Sequence, residues 1–258
     1  MSKNVRAKKE LGQHFLCDLT IAQAIVEAMP QGVAPLVVEV GAGMGVLTQY
    51  LMDREDMELK IVEIDGESVE YLEKNYEGRL CGKIIHGDFL RYDFEQKAAV
   101  IGNFPYNIST QIFFHILEHR DSVPVVVGML QKEVAVRLAA PAGSREGGVL
   151  SVLLQAFYDV EYLFDVSADK FSPPPKVQSG VIRCTRNSTK ELGCDEVLFK
   201  RVVKGAFSQR RKVLKNSLYG AFPPLAEAKV THPFFSRRAE NLTLCEFKEL
   251  TNFISTIL

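Results

Sequence analysis

The strongest constraint on the fold lies between residues 36 and 139, where short runs apolar on both faces alternate with amphipathic stretches. Leu36–Val40 is such a run; it ends at Gly41 and leads into a helical stretch over Val46–Arg54. Glu58–Ile64 reads as a strand and Glu67–Tyr76 as a helix. A short strand at Ile84 and Ile85 precedes Gly87 and Asp88. Ala98–Gly102 ends at Asn103 and is followed by a helix over Ser109–His119, and Val123–Leu130 is followed by one over Lys132–Ala139. A strand with no polar face must be covered on both sides, and a helix after each strand supplies the cover while returning the chain for a parallel pairing. The expected fold class is α/β, a mostly parallel sheet with helices on both faces.

The flanks read differently. A basic arm (Lys3, Arg6, Lys8, Lys9) with no apolar anchor before Leu11 is not expected to order by itself. Asp18 is placed to cap a helix that carries Ile21, Ile25 and Ala28 on one face, with Pro30 past its end. Pro141–Gly148 reads as a mobile loop and Val149–Tyr158 as a helix. Val160–Val166 and Val177–Cys184, flanking the turn-rich Phe171–Lys176, read as an antiparallel pair. From about Cys194 the pattern is purely helical. The expected division is a sheet domain at 1–190 with antiparallel C-terminal strands, and a small all-α domain at 191–258.

Charge separates the same two regions. The 258 residues carry a net charge of −1, yet residues 197–258 hold eleven Lys or Arg against four Asp or Glu. A uniformly basic nucleic-acid coat is excluded, but a basic patch meeting an anion is not; a solvated helical face is the alternative. No apolar run approaches the ~18 residues of a membrane span, and the charged N-terminus lacks the apolar core of a secretory signal. The five cysteines form no CxxC and no metal-ligand spacing, which suits reduced thiols. A soluble, cytoplasmic chain is expected, without metal, and monomeric because no apolar stripe demands a partner.

Four strand ends carry chemistry. Glu39–Gly45 (EVGAGMG) supplies glycines that let the backbone turn tightly against a ligand, with Gly41 and Gly43 shaping the loop. Val46 stands where a dinucleotide fingerprint needs its third glycine; the GxGxG form is the pattern of S-adenosylmethionine (SAM) methyltransferases. Glu63 ends the next strand, where an acid can accept from both hydroxyls of a ribose, with Asp65 competing for the role. Asp88 can accept from the exocyclic amine of the cofactor's adenine, or simply cap a turn. Asn103, Phe104, Pro105 and Tyr106 form the fourth. The Asn103 side-chain carbonyl and the Phe104 main-chain carbonyl can accept both hydrogens of an aromatic amine, which frees its lone pair for an electrophilic methyl. Pro105 stiffens the turn and Tyr106 offers a face for a base, so catalysis would be positioning plus electrostatics.

Over essentially its whole length the sequence resembles the small-subunit (16S) ribosomal RNA adenine dimethyltransferases of the kasugamycin-sensitivity type. The matching blocks are Leu11–Leu16 (LGQHFL), Glu39–Gly45, Val62–Asp65 (VEID), Gly87–Asp88, Gly102–Thr110 (GNFPYNIST), Met129–Val134 (MLQKEV), Phe171–Ser179 (FSPPPKVQS) and Phe207–Leu218 (FSQRRKVLKNSL). The resemblance implies methyl transfer from SAM to N6 of two adjacent adenines near the 3′ end of 16S rRNA in the immature 30S subunit. It implies that Gln13–Leu16 folds over the cofactor, with His14 and Leu16 touching it, and that Phe171 stacks on the extruded base opposite Tyr106. Many relatives carry Asn at the position of His14, and Leu at that of Phe104. Arg210, Arg211 and Lys212, read as lying on a helix, would meet rRNA phosphates.

Rivals are a large-subunit rRNA methyltransferase of the erythromycin-resistance branch, a DNA adenine methyltransferase, and an assembly checkpoint whose main task is to occupy the immature subunit. The FSPPPK loop and the Arg-Arg-Lys cluster favour the small-subunit branch.

Overall fold

The computed structural model describes residues 5–76 and 78–258; Lys3 of the basic arm lies outside them. The chain divides into two compact units, one comprising residues up to Ala135 with Val160–Arg186, the other Val136–Asp159 with Asn187–Leu258. The division is thus not the contiguous one expected at 1–190 and 191–258. Residues 136–159 leave the sheet unit because the helix over Val149–Gln155 packs on the first helix of the helical unit.

The sheet unit holds β1 (Phe15–Leu16), α1 (Leu19–Glu27), β2 (Leu36–Val40), α2 (Thr48–Leu51), β3 (Glu58–Glu63), α3 (Gly66–Asn75), β4 (Ile84–His86), β5 (Ala98–Asn103), α4 (Ser109–Glu118) and β6 (Val125–Gln131). α5 (Lys132–Ala139) and α6 (Val149–Gln155) follow, then β7 (Tyr158–Val166), β8 (Phe171–Ser172) and β9 (Ser179–Arg186). Among the described residues the main sheet has seven strands in the order β4-β3-β2-β5-β6-β9-β7. β4 through β6 pair in parallel, and β9 runs antiparallel to β6, with Gly128 opposite Ile182. Ala98, Ala99, Val100 and Ile101 of β5 are all fully buried, as a strand covered on both faces requires.

Two local expectations change. α2 is one turn long, because the glycine loop keeps the chain in turns as far as Leu47. The arm does possess an apolar anchor: Val5 is buried. β1 also pairs antiparallel with β8, Leu16 opposite Phe171. At the start of α1, the Asp18 carboxylate accepts from the N–H groups of Thr20 (3.0 Å) and Ile21 (3.2 Å), the cap its position suggests.

The helical unit continues with α7 (Glu196–Phe207), α8 (Leu214–Ala221), α9 (Pro223–Glu227) and α10 (Leu244–Ser255). α7 buries Leu198, Phe199, Val202, Val203 and Ala206 along one face, and Phe207 stacks on Phe247 of α10 with ring centroids 6.0 Å apart. The Pro141–Gly148 segment, expected to be a mobile loop, makes hydrogen bonds to neighbouring side chains. Arg210 Nη2 donates to the carbonyls of Arg145 (3.1 Å) and Gly147 (3.0 Å), and Gln155 accepts from Ala142 N while donating to Leu138 and Ala140. Among the described residues no helix is long and apolar enough to cross a membrane.

Candidate active site

The strand order reverses between β2 and β5, and their carboxyl ends diverge there to leave a crevice. A cavity of about 310 Å³ occupies it, lined from the ends of four parallel strands and from the N-terminal arm. That is the lower end of the range for small-ligand sites.

Gly41 and Gly43 follow β2 with φ of +68° and +55°, in the left-handed region that side-chain-bearing residues avoid. A Cβ on Gly43 would lie 2.8 Å from the Phe15 ring, and one on Gly41 would project across the cavity toward Pro105, 3.9 Å away. The loop is tied to β3: Gly43 N donates to Glu63 Oε2 at 2.9 Å, and Asp65 N donates to Oε1 at 2.9 Å. Burial raises the Glu63 pKa above its ordinary value, and those two N–H donors pull it back. Glu63, not Asp65, lines the cavity. Asp65 instead faces the arm, taking Lys8 Nζ, Gln13 Nε2 (3.0 Å) and Ser68 Oγ (3.0 Å). Burial pushes the Asp65 carboxyl up, but these donors outweigh it and hold the pKa below the ordinary value.

Asp88 lines the cavity and also caps a short 3₁₀ turn, accepting from Leu90 N at 2.9 Å; both readings of this residue hold together. Asn103, Pro105 and Tyr106 line the other wall. Asn103 Nδ2 donates to the His14 carbonyl at 2.8 Å, and Phe104 N donates to Met129 O at 2.9 Å. The Tyr106 hydroxyl is hydrogen-bonded to Ser179 Oγ, and burial raises its pKa, so the phenol is neutral. His14 lines the cavity with Nδ1 2.8 Å from the Pro173 carbonyl and its ring 5.5 Å from that of Tyr106.

Other expected site residues do not line this cavity. Leu16, at 4% exposure, borders a smaller void of about 30 Å³ that Gly41, Gly43 and Asn103 also line, together with Glu39. Phe171 is not among the residues that line the cavity. It is 4% exposed and packs in the core with Leu16, Val166 and Val181, because the β1–β8 pairing turns it inward. Arg210, Arg211 and Lys212 sit in the turn between α7 and α8, not on a helix, and Arg210 is committed to the Arg145–Gly147 carbonyls. Gln13 lines the cavity within the segment expected to cover the cofactor, whereas sequence reasoning gave no role to Gln111 and Ser179. Ser179 is fully buried and lies 73 positions from its partner Tyr106, a pairing that no local pattern could reveal.

A parallel sheet with this crevice, a glycine loop after β2, acids ending β3 and β4, and an Asn-Phe-Pro-Tyr turn after β5 together define a Rossmann-like methyltransferase. Comparison with known proteins agrees. The chain belongs to the ribosomal RNA adenine dimethylase family, whose pattern matches residues 4–256, and it is accordingly an enzyme. It is 52% identical over 258 residues to the ribosomal RNA small subunit methyltransferase A of Cytophaga hutchinsonii, covering 98% of this chain and 99% of that one. It is 53% identical over 253 residues to the protein so named in Parabacteroides distasonis, covering 96% and 93%. In fold it is similar to a dimethyladenosine transferase from Plasmodium falciparum, with a TM-score of 0.75 at 24% identity over 94% of this chain and 98% of that one. The 23S rRNA methyltransferase ErmE gives a TM-score of 0.66 at 24% identity, over 91% and 99%.

Proposed function

We propose that the protein transfers methyl groups from SAM to N6 of two adjacent adenines near the 3′ end of 16S rRNA, acting as a cytoplasmic monomer on the immature 30S subunit. The observation that carries this reading is the single cavity onto which Gly41, Gly43, Glu63, Asp88, Asn103, Pro105 and Tyr106 converge. The small-subunit names of relatives covering nearly the whole chain support the choice of rRNA.

The residues fit the cofactor. The Gly41 position leaves room that a Cβ would fill, and the acids at Glu63 and Asp88 match a ribose diol and an adenine amine. When bound, SAM supplies an electrophilic methyl on a sulfonium. Glu63 accepts from the ribose hydroxyls while its backbone donors hold it in place. Asp88 accepts from the adenine amine beside Phe89. His14 contacts the cofactor from the arm. Asn103 Oδ1 and the Phe104 carbonyl accept the two hydrogens of the target amine, Pro105 fixes their spacing, and Tyr106 stacks on the base. Arg211 and Lys212, both exposed, meet rRNA phosphates.

The test is transfer of labelled methyl from SAM to unmethylated 30S subunits, with 50S subunits and duplex DNA in parallel and the product base identified by mass spectrometry. Dimethyladenine confined to 16S rRNA is expected. Label in the 50S particle would assign the large-subunit branch, and tight 30S binding without label would leave an assembly factor.

A further inference from the structure

We propose that the N-terminal arm is a positioning element for methyl transfer: Asp65 latches it through Lys8 and Gln13, and the docked His14 carbonyl fixes the Asn103 amide with its oxygen toward the target nitrogen. This rests on the reading of Asn103 given above and assigns Asp65, which that reading leaves without a task.

The geometry is specific. A carboxamide has one accepting oxygen and one donating NH2, and only the NH2 can sit against a carbonyl. The His14 carbonyl lies 2.8 Å from Asn103 Nδ2. A flipped amide would press two acceptors together there and turn its NH2 onto an amine that itself needs acceptors. The arm therefore selects the productive orientation of the amide. Nothing else described contacts Nδ2.

Asp65 holds the arm on the N-terminal side of His14, while the Pro173 carbonyl and the β1–β8 pairing hold it on the other. The buried Asp65 carboxylate takes Lys8 Nζ and Gln13 Nε2, while Lys8 also reaches Glu67 at 3.1 Å and Gln13 Oε1 accepts from Lys8 N at 2.8 Å. Asp65 N in turn donates to Glu63 Oε1. The acid proposed for the ribose, the latch and the catalytic amide are thus linked by hydrogen bonds on either side of the covalent Gln13–His14 step.

The test uses the full chain with Lys8→Met and Gln13→Ala combined, which spares Asp65 itself, whose carboxylate also caps α3 by accepting from Glu67 N at 3.3 Å. The Asn103 side-chain amide, followed by 15N NMR on the cofactor-loaded protein, is expected to show slow hydrogen exchange in the parent. In the variant it should exchange at least about tenfold faster, the pattern of a lost hydrogen bond. With SAM and 30S subunits both saturating, kcat should fall roughly 10- to 100-fold, the scale of a misplaced catalytic group. Lys8→Arg with Gln13 intact should keep the parent rate. In an Asn103→Ser background the arm substitutions should cost no further kcat. A rate restored by saturating SAM, or unchanged exchange at Asn103, would reduce the arm to a cofactor clasp and overturn the proposal. The NMR result stands whichever rRNA is the substrate, so it fails separately from the functional reading.

Discussion

Gly128→Ala tests how the core sets the catalytic turn. Gly128 lies on β6, and a Cβ there would sit 2.4 Å from Phe104 Cε2 and 2.9 Å from Cδ2. Ordinary carbon contacts are about 3.5–4.0 Å, so the ring would have to retreat by roughly 1 Å. It cannot do so freely. Phe104 is fully buried, its ring meets Phe113 edge-on at 5.8 Å, and its N–H is tied to Met129 O. Overpacking of this kind costs about 1–3 kcal/mol, and at about 2–4 °C per kcal/mol for a chain of this size the melting temperature should drop by roughly 2–12 °C. Asn103 and Pro105 flank the ring, so the turn moves with it, and a displacement near 1 Å is worth about 100-fold in kcat. Adding Phe104→Leu removes the clashing atoms and should recover both quantities, with a coupling of at least about 1 kcal/mol. Thermal unfolding and single-turnover methyl transfer on the two single variants and the double variant check this. Parent-like behaviour of Gly128→Ala, or strictly additive losses, would refute it.

Other outcomes follow from the same geometry. Burial pushes the Glu39 carboxyl up from 4.5 to about 8, against the pull of the Thr48 hydroxyl. The folded protein therefore binds a proton that the unfolded chain has released, and stability falls as pH rises from about 4.5 to 8. Glu39→Gln should flatten that decline and stabilise the protein at pH 8 by up to a few kcal/mol, with little change at pH 4, as denaturant midpoints would show. Phe171→Ala should cost about 3–5 kcal/mol as a core truncation, while Phe171→Leu should keep kcat and the KM for 30S subunits at 25 °C; a large rise in that KM would return Phe171 to the base site. Arg210→Ala should speed proteolysis within 141–148, whereas Arg211→Ala and Lys212→Ala should each flatten the salt dependence of 30S binding by roughly one phosphate contact.

The strand–helix alternation was legible because a strand buried on both faces must be apolar throughout, which leaves a mark in consecutive residues at β2, β5 and β6. The strand-end motifs were legible for a related reason: Gly41, Glu63, Asp88 and Asn103 each follow an apolar run, and a parallel sheet delivers all such ends to one edge. By itself, then, the sequence determined the α/β class, the edge that carries the chemistry and most of the cavity wall. Tertiary structure decided what contiguous patterns cannot encode. It set Asp65 against Lys8 and Gln13, Ser179 against Tyr106, and Arg210 against the Arg145–Gly147 loop, each pairing spanning more than fifty residues. It also turned Leu16 and Phe171 inward, since which face of a two-residue strand is buried depends on the partner it meets and not on its own period. Hydrophobic periodicity is a property of neighbours along the chain, whereas the direction in which a polar or aromatic side chain finds its partner is a property of the packed whole.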